Sequence, residues 1–297
     1  MSAVIRVPAS SANLGAGFDV LGMALDLHLD VGSGEPPAGA QPVDRHHPAA
    51  MAFAAQISAD GLSVDPSTAL WVRSVIPMGR GLGFSAAARV GGAALAVVQD
   101  AGVQGAGDPA VSLEAGRASV LEVAVRLEGH GDNAAASVCG GVVAWVDGRA
   151  IRLQVGPTLA AASVVVWIPE TTTSTDRSRR ALSAELSRSD VVHNLGRLAQ
   201  FVLAVEHDDP ALLAGATDDR IHQRQRLAAV PDASLALERG VAGGAWCGWL
   251  SGSGPTVAFL CDPAGVDGVL AALPDSGRPK VVGIESSGVR VLSSECC

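Results

Sequence analysis

Apolar and polar positions alternate from residue 3 to 8, and this period of two predicts a strand running into a loop. Ala24 to Val31 reads as a second strand, and the Gly and Pro residues of 32–42 mark a surface loop. The alanine-rich run 48–58 predicts a helix. Leu70-Trp71-Val72-Arg73-Ser74-Val75-Ile76 is β-branched and aromatic, as a strand requires, and Ser85 to about Gln99 reads as a helix. A further helix is predicted from Pro109 to about Gly129. Then come a strand over 140–146, a turn at Asp147-Gly148 and a strand over 151–155.

Gly156-Pro157 is the best boundary, because the pattern restarts beyond it. A strand at 163–168 leads into the polar segment 170–176, with helices at 178–186, 189–206, 210–227 and 232–242. Strands at 245–250 and 256–261 flank Ser251-Gly252-Ser253-Gly254-Pro255, and a helix at 263–273 and a strand at 280–284 follow. The grammar predicts an α+β chain of two domains, 1–156 and 157–297.

The rest of the chain is organised around Pro77-Met78-Gly79-Arg80-Gly81-Leu82-Gly83-Phe84-Ser85-Ala86-Ala87. Glycines at 79, 81 and 83, between a strand and a helix, let backbone N–H groups crowd an anion at a helix N-terminus. A tight turn without a ligand is the plain alternative. A dinucleotide fingerprint, Gly81-x-Gly83-x-x-Ala86, lacks the following strand and its acid, since Asp100 comes directly after the helix. A Walker A loop is excluded by the missing lysine.

Composition narrows the class. Of 297 residues, 48% are apolar and 17% charged, which suits a globular core. A formal charge of −9 argues against a nucleic-acid surface. The N-terminus lacks the plan of a secretory signal, no long apolar run predicts a membrane span, and five cysteines (139, 247, 261, 296 and 297) show no metal spacing. A cytoplasmic enzyme is the expectation. His46 and His47 have no Cys, Asp or Glu partners at ligand spacing, so a metal pair is not expected there.

Candidate chemistry lies in three further places. Asn13 and Asp19 offer an amide and a carboxylate on a loop of small and polar residues, which turn chemistry alone also explains. Leu127-Glu128-Gly129-His130-Gly131-Asp132-Asn133 gathers donors and acceptors beside glycines, as a ligand or ion site would; a solvated helix end is the alternative. Arg179, after Ser174-Thr175, and Arg226, which closes His222-Gln223-Arg224-Gln225-Arg226, suit a planar carboxylate, although each alone is ordinarily a surface charge.

Together these segments resemble the GHMP kinase superfamily and, within it, the homoserine kinase family, along nearly the whole chain. Val7 to Asp19 is similar to the first family motif, Gly79 to Ala87 to the ATP-phosphate loop, and Leu127 to Asn133 to the segment that marks homoserine kinases. Pro169-Glu170, Asn194-Leu195-Gly196-Arg197 and Leu250 to Thr256 continue the likeness. The resemblance implies a two-domain fold, with an N-terminal domain of the ribosomal-protein-S5 second-domain type and a ferredoxin-like C-terminal domain. It implies ATP-dependent phosphorylation of L-homoserine in threonine biosynthesis, with Mg²⁺, and leaves a homodimer open.

Carried over by position, Asn13 and Asp19 hold the hydroxyl and amine end. His130, Thr175, Arg179 and Arg226 position the amino acid, and residues 77–87 wrap the ATP phosphates. Ser85 and Glu128 are the implied Mg²⁺ ligands, with Glu122 as the substitute for Glu128. Asn133 lies near the γ-phosphate and Asp132 is the nearby carboxylate, acting as a base in related kinases but not thought to in homoserine kinases. Phe84 stands where the family loop usually has the first of two serines, and its ring is expected to turn from the phosphates onto the following helix; Ala16 and Gly131 stand where proline is common. A kinase of another small hydroxy acid or alcohol, or a ligand-binding relative without transfer, are the alternatives.

Overall fold

A computed structural model describes residues 3–105 and 107–292, with Thr175 and Asp176 described by backbone alone. The first half comprises β1 (Val4–Ala12), β2 (Leu21–Ser33), β3 (Gln41–Pro42), α1 (Pro48–Asp60), β4 (Leu70–Ser74), α2 (Phe84–Val103), α3 (Pro109–Glu128), α4 (Asp132–Cys139), β5 (Val142–Val146) and β6 (Arg149–Arg152). The second comprises α5 (Pro157–Ala160), β7 (Ser163–Pro169), α6 (Thr175–Arg180), α7 (Arg188–Glu206), α8 (Gln223–Ala228), α9 (Pro231–Ala242), β8 (Cys247–Leu250), β9 (Val257–Cys261), α10 (Val266–Ala272), β10 (Gly277–Val282) and β11 (Arg290–Leu292). Short 3-10 turns occupy Pro210–Leu213 and Pro263–Gly265.

Two antiparallel sheets carry the molecule. The first runs β11-β1-β2-β4-β3, and β5, itself paired with β6, joins it along β2. The 13-residue β2 pairs β1 along one edge and two strands along the other, β5 over Leu21 to Met23 and β4 over Leu29 to Ser33. The second sheet runs β10-β7-β9-β8. Along β7 the strand period divides its side chains, with Val164, Val166 and Ile168 joining the main core and Val165 and Trp167 the core under α9 and α10. The main core is continuous across both halves, taking in Ile5, Leu29, Leu95, Phe201, Trp249 and Leu260.

Several elements depart from the sequence expectation, each for a tertiary reason. β1 continues through Ser10 and Ser11, small polar residues that are fully buried because their hydroxyls are bonded to distant segments. α4 was unmarked by any periodicity; its Ala134, Ala135 and Ala136 are simply buried on all sides. The helix expected over 210–227 is broken, because Gly215 takes a left-handed φ of 72° and the Asp219 carboxylate caps α8 through the His222 and Gln223 N–H groups. The last strand, β11, pairs with β1, so the segment after residue 157 contributes to both sheets, a return that a division at 156 does not include. The turn at Asp147-Gly148 forms as expected, with φ of 49° and 78°. Cys296 and Cys297 lie outside the described residues; Cys139, Cys247 and Cys261 are free thiols. Among the described residues no helix is long and apolar enough to cross a membrane.

A one-directional chain of hydrogen bonds ties the sheets together. Trp249 Nε1–H donates to Ser11 Oγ at 2.9 Å, Ser11 and Ser251 hydroxyls are 2.7 Å apart, and Ser251 Oγ–H donates to the Gly81 carbonyl at 2.6 Å. Trp249→Phe keeps the ring but removes the donor, and urea unfolding should show a loss of about 1–2 kcal/mol, against about 3–5 for Trp249→Ala. A loss below about 0.5 kcal/mol for Trp249→Phe would show that the chain of hydroxyls does not hold the sheets.

Candidate functional site

The glycine loop is shaped from outside. Gly79, Gly81 and Gly83 all have left-handed φ, 65°, 76° and 68°, and such alternation curls successive N–H groups into a concave anion nest. Glycine is required at two of them: a Cβ on Gly83 would overlap Ser10 Oγ, and one on Gly81 would overlap the Ser251 carbonyl. The loop carbonyls are taken by outside donors. Thr173 N–H bonds Gly79 O at 2.9 Å, Ser10 N–H bonds Leu82 O at 3.3 Å, and Ser251 holds Gly81 O. Arg80 clamps the loop to the Pro169 and Glu170 carbonyls at 3.0 and 2.8 Å. The plain-turn alternative does not explain why three separate segments converge on one loop.

Opposite the loop lies the turn between β1 and β2. Asn13, with φ of 72°, is buried and spent on structure: its Nδ2 donates to Gly252 O at 2.9 Å and its Oδ1 accepts the Asp19 N–H at 3.1 Å. Asp19 is thereby held in a left-handed conformation with its carboxylate in the fork of Arg179, at 2.6 and 2.7 Å. Arg226, buried at 8% exposure, donates to His222 Nδ1 and to Gly252 O, each at 3.1 Å. His222 Nε2–H in turn donates to Gly15 O at 2.9 Å, and burial lowers the pKa of this ring, keeping it neutral. Burial, then the neighbouring Arg179, also lowers the pKa of Arg226.

Phe18 organises this end. Both guanidinium carbons lie over its ring, Arg179 at 5.5 Å and Arg226 at 5.3 Å from the centroid, and His222 stacks on it at 5.0 Å. Nothing in periodicity marks Phe18; its place beside Asp19 in a polar turn is the only signal.

The third wall is the junction of α3 and α4. Gly129, with φ of 83°, caps α3 and leaves Glu128 as its last residue. Asp132, 2% exposed, accepts from His130 Nδ1 at 3.0 Å and from the Asn133 N–H at 2.8 Å through the same oxygen. Asn133 Oδ1 accepts from Ser10 Oγ at 2.9 Å, beside the loop. Glu122 is exposed on α3, while Glu128 lines the cavity. The Thr175 side chain lies outside the described residues. His47 caps α1, its Nδ1 accepting the Ala49 N–H, and His46 is exposed, so the two do not form a metal pair. Phe84 turns its ring edge-on to His47 at the start of α1, 6.1 Å between centroids, so its aromatic partner is another helix and not its own.

Ser85 Oγ and Glu128 Oε2 are 3.1 Å apart, close to the separation of neighbouring corners in an Mg²⁺ octahedron. The donors are of the right type. Yet the Arg89 guanidinium is bonded to both oxygens, so the arrangement as it stands does not fit the ion. Sequence reasoning passed over Arg89, although its place four residues after Ser85 puts both on one helix face.

These walls enclose a cavity of about 290 Å³, lined by the loop residues 77–85 together with Asn13, Asp19, Glu128, His130, Asp132, Asn133, Arg179 and Arg226. Ala86 and Ala87 are buried behind it in α2. A larger cavity of about 1050 Å³ beside it, between α6, α8 and β10, shares Thr173, Arg226 and Ser253 but contains none of the glycine loop.

No family model matches the chain. Curated relatives do: homoserine kinase of Desulfitobacterium hafniense is 34% identical over an alignment of 312 positions, covering 97% of this chain and 99% of its own. Homoserine kinase of Streptomyces avermitilis is 33% identical, covering 97% and 95%. Among solved structures, homoserine kinase of Cytophaga hutchinsonii superposes with a TM-score of 0.79 at 20% identity, over 98% and 97% of the two chains. A mevalonate kinase superposes at 0.68 with 12% identity, over 96% and 99%. The structural neighbours establish the α+β GHMP kinase fold. Identity of a third across nearly the full length of both sequences shows that the chain belongs to the homoserine kinase family.

Proposed function

We propose that the chain transfers the γ-phosphoryl group of ATP to the side-chain hydroxyl of L-homoserine, giving O-phospho-L-homoserine and ADP. The observation that carries the reading is the single cavity with an anion nest on one wall and two arginines on a shared aromatic platform on the other. Phosphoryl transfer asks for alignment and for charge stabilisation on the phosphate oxygens, and a nest of fixed N–H groups provides the second without reorganising. The acceptor needs its carboxylate held at the far end, so that its hydroxyl reaches the nest.

Arg179 and Arg226 are the groups for that carboxylate. In the structure Arg179 grips the Asp19 carboxylate with the same planar fork that a substrate carboxylate would take. Substrate binding is then an exchange: Arg179 passes to the substrate carboxylate and Asp19 takes the substrate ammonium. Asn13 keeps Asp19 in place through its amide. His130 and Asp132 face the space between; His130 orients the hydroxyl, and the Asp132 carboxylate receives its proton as the new P–O bond forms and the bond to ADP breaks. Asn133 stands at the phosphate side, fixed by Ser10. Ser85 and Glu128 would be the residues to hold a divalent ion once Arg89 had left them, and such an ion would neutralise phosphate charge.

Coupled ADP release with purified protein should be high with L-homoserine and at background with serine, threonine and mevalonate; equal rates with mevalonate would refute the acceptor assignment. Arg226→Lys keeps the charge and loses the fork, so the homoserine KM should rise about tenfold or more and the ATP KM less than about threefold. Equal rises would remove Arg226 from the acceptor site. Phe84→Ser should lower stability by about 1–3 kcal/mol through lost burial and change kcat/KM by less than about tenfold, because the loop amides do not depend on that side chain. A protein that transfers phosphate only after Phe84→Ser would be an idle relative instead.

A further inference from the structure

Glu128 occupies an awkward place for a carboxylate. It is the last residue of the 20-residue α3, where the helix dipole presents its negative end, and its side chain is only 12% exposed. A charge so placed requires a cation nearby. The structure supplies one from within the chain: Arg89, one turn after Ser85 in α2, reaches both Glu128 Oε2 and Ser85 Oγ with the same Nη1. The guanidinium is itself 84% buried by side chain, being 16% exposed, and its Nε has no hydrogen-bond partner, so the Glu128 and Ser85 oxygens are what hold its charge. On the other flank His130 Nε2 lies 3.9 Å from Glu128 Oε1.

We propose that Arg89 is the resident cation of this position and competes with a divalent ion for Ser85 and Glu128. Two positive charges cannot share one pair of oxygens at contact distance without strong repulsion. An ion binding there must first turn Arg89 out, and the affinity of the site for the ion is lowered by that exchange. Arg89 thus sets how much metal the kinase needs, acting through Glu128 and not through the substrate. The inference rests on the kinase reading only for the presence of a divalent ion, and its test uses neither ATP nor homoserine.

The test is Mn²⁺ binding to the full chain without nucleotide, followed by the EPR signal of the free ion. Arg89→Met keeps an unbranched stem in the helix and removes the charge; it should bind Mn²⁺ at least about tenfold more tightly than the unmodified protein. The double substitution Arg89→Met with Glu128→Gln should bind Mn²⁺ no more tightly than the unmodified protein, which assigns the gain to Glu128. A folded Arg89→Met protein that binds Mn²⁺ no more tightly overturns the proposal. If Arg89→Met does not fold, Arg89→Gln decides in its place: it also removes the charge, and Mn²⁺ binding no tighter than that of the unmodified protein overturns the proposal. Homoserine-dependent ADP release by the unmodified protein checks the kinase reading separately.

Discussion

The glycine loop has its shape because a row of buried hydroxyls connects it to both sheets. Trp249 on β8, Ser11 on β1 and Ser251 beyond β8 pass a hydrogen bond in one direction to the Gly81 carbonyl. Each hydroxyl donates once and accepts once, so no member can turn without stranding a buried neighbour. With Gly79 O and Leu82 O also tied back, the loop N–H groups have a fixed aim. The two halves of the chain are consequently not independent: the second sheet sets the geometry of the first half's glycine loop.

At the other wall, the constraint is charge. Two arginines, 5.3 and 5.5 Å from the centre of one phenyl ring, repel each other unless anions intervene, and Asp19 is the anion now present. The platform of Phe18 and His222 holds both guanidinium groups over one aromatic surface. Arg89 and Glu128 follow the same logic beside the loop, where an internal ion pair occupies a place that a ligand's counter-ion would otherwise take. Each wall of the cavity therefore carries an internal ion pair, Arg179 with Asp19 on one and Arg89 with Glu128 on the other.

The sequence by itself determined a good deal. The strand and helix on either side of residues 77–87 are there, as are α1, α3, α7 and α9, because their apolar periods and flanking Gly and Pro are local signals. The segments that line the cavity were each visible as unusual concentrations of Gly, Asn, Asp, His or Arg. Only tertiary structure decided that they meet. Ser10 and Ser11 read as loop residues because an isolated Ser-Ser pair has no reason to be a buried strand; Asn133, Trp249 and Ser251, more than 120 residues away, provide that reason. α4, with 8 residues, and β11, with 3, are too short for a local pattern to mark, and exist because neighbours bury them. Phe18 and Arg89 carry ordinary local signals, an aromatic in a turn and a charge on a helix. Apart from the contact of Arg89 with Ser85 four residues before it, their partners lie at sequence separations of 39 to 208 residues, which no local pattern encodes.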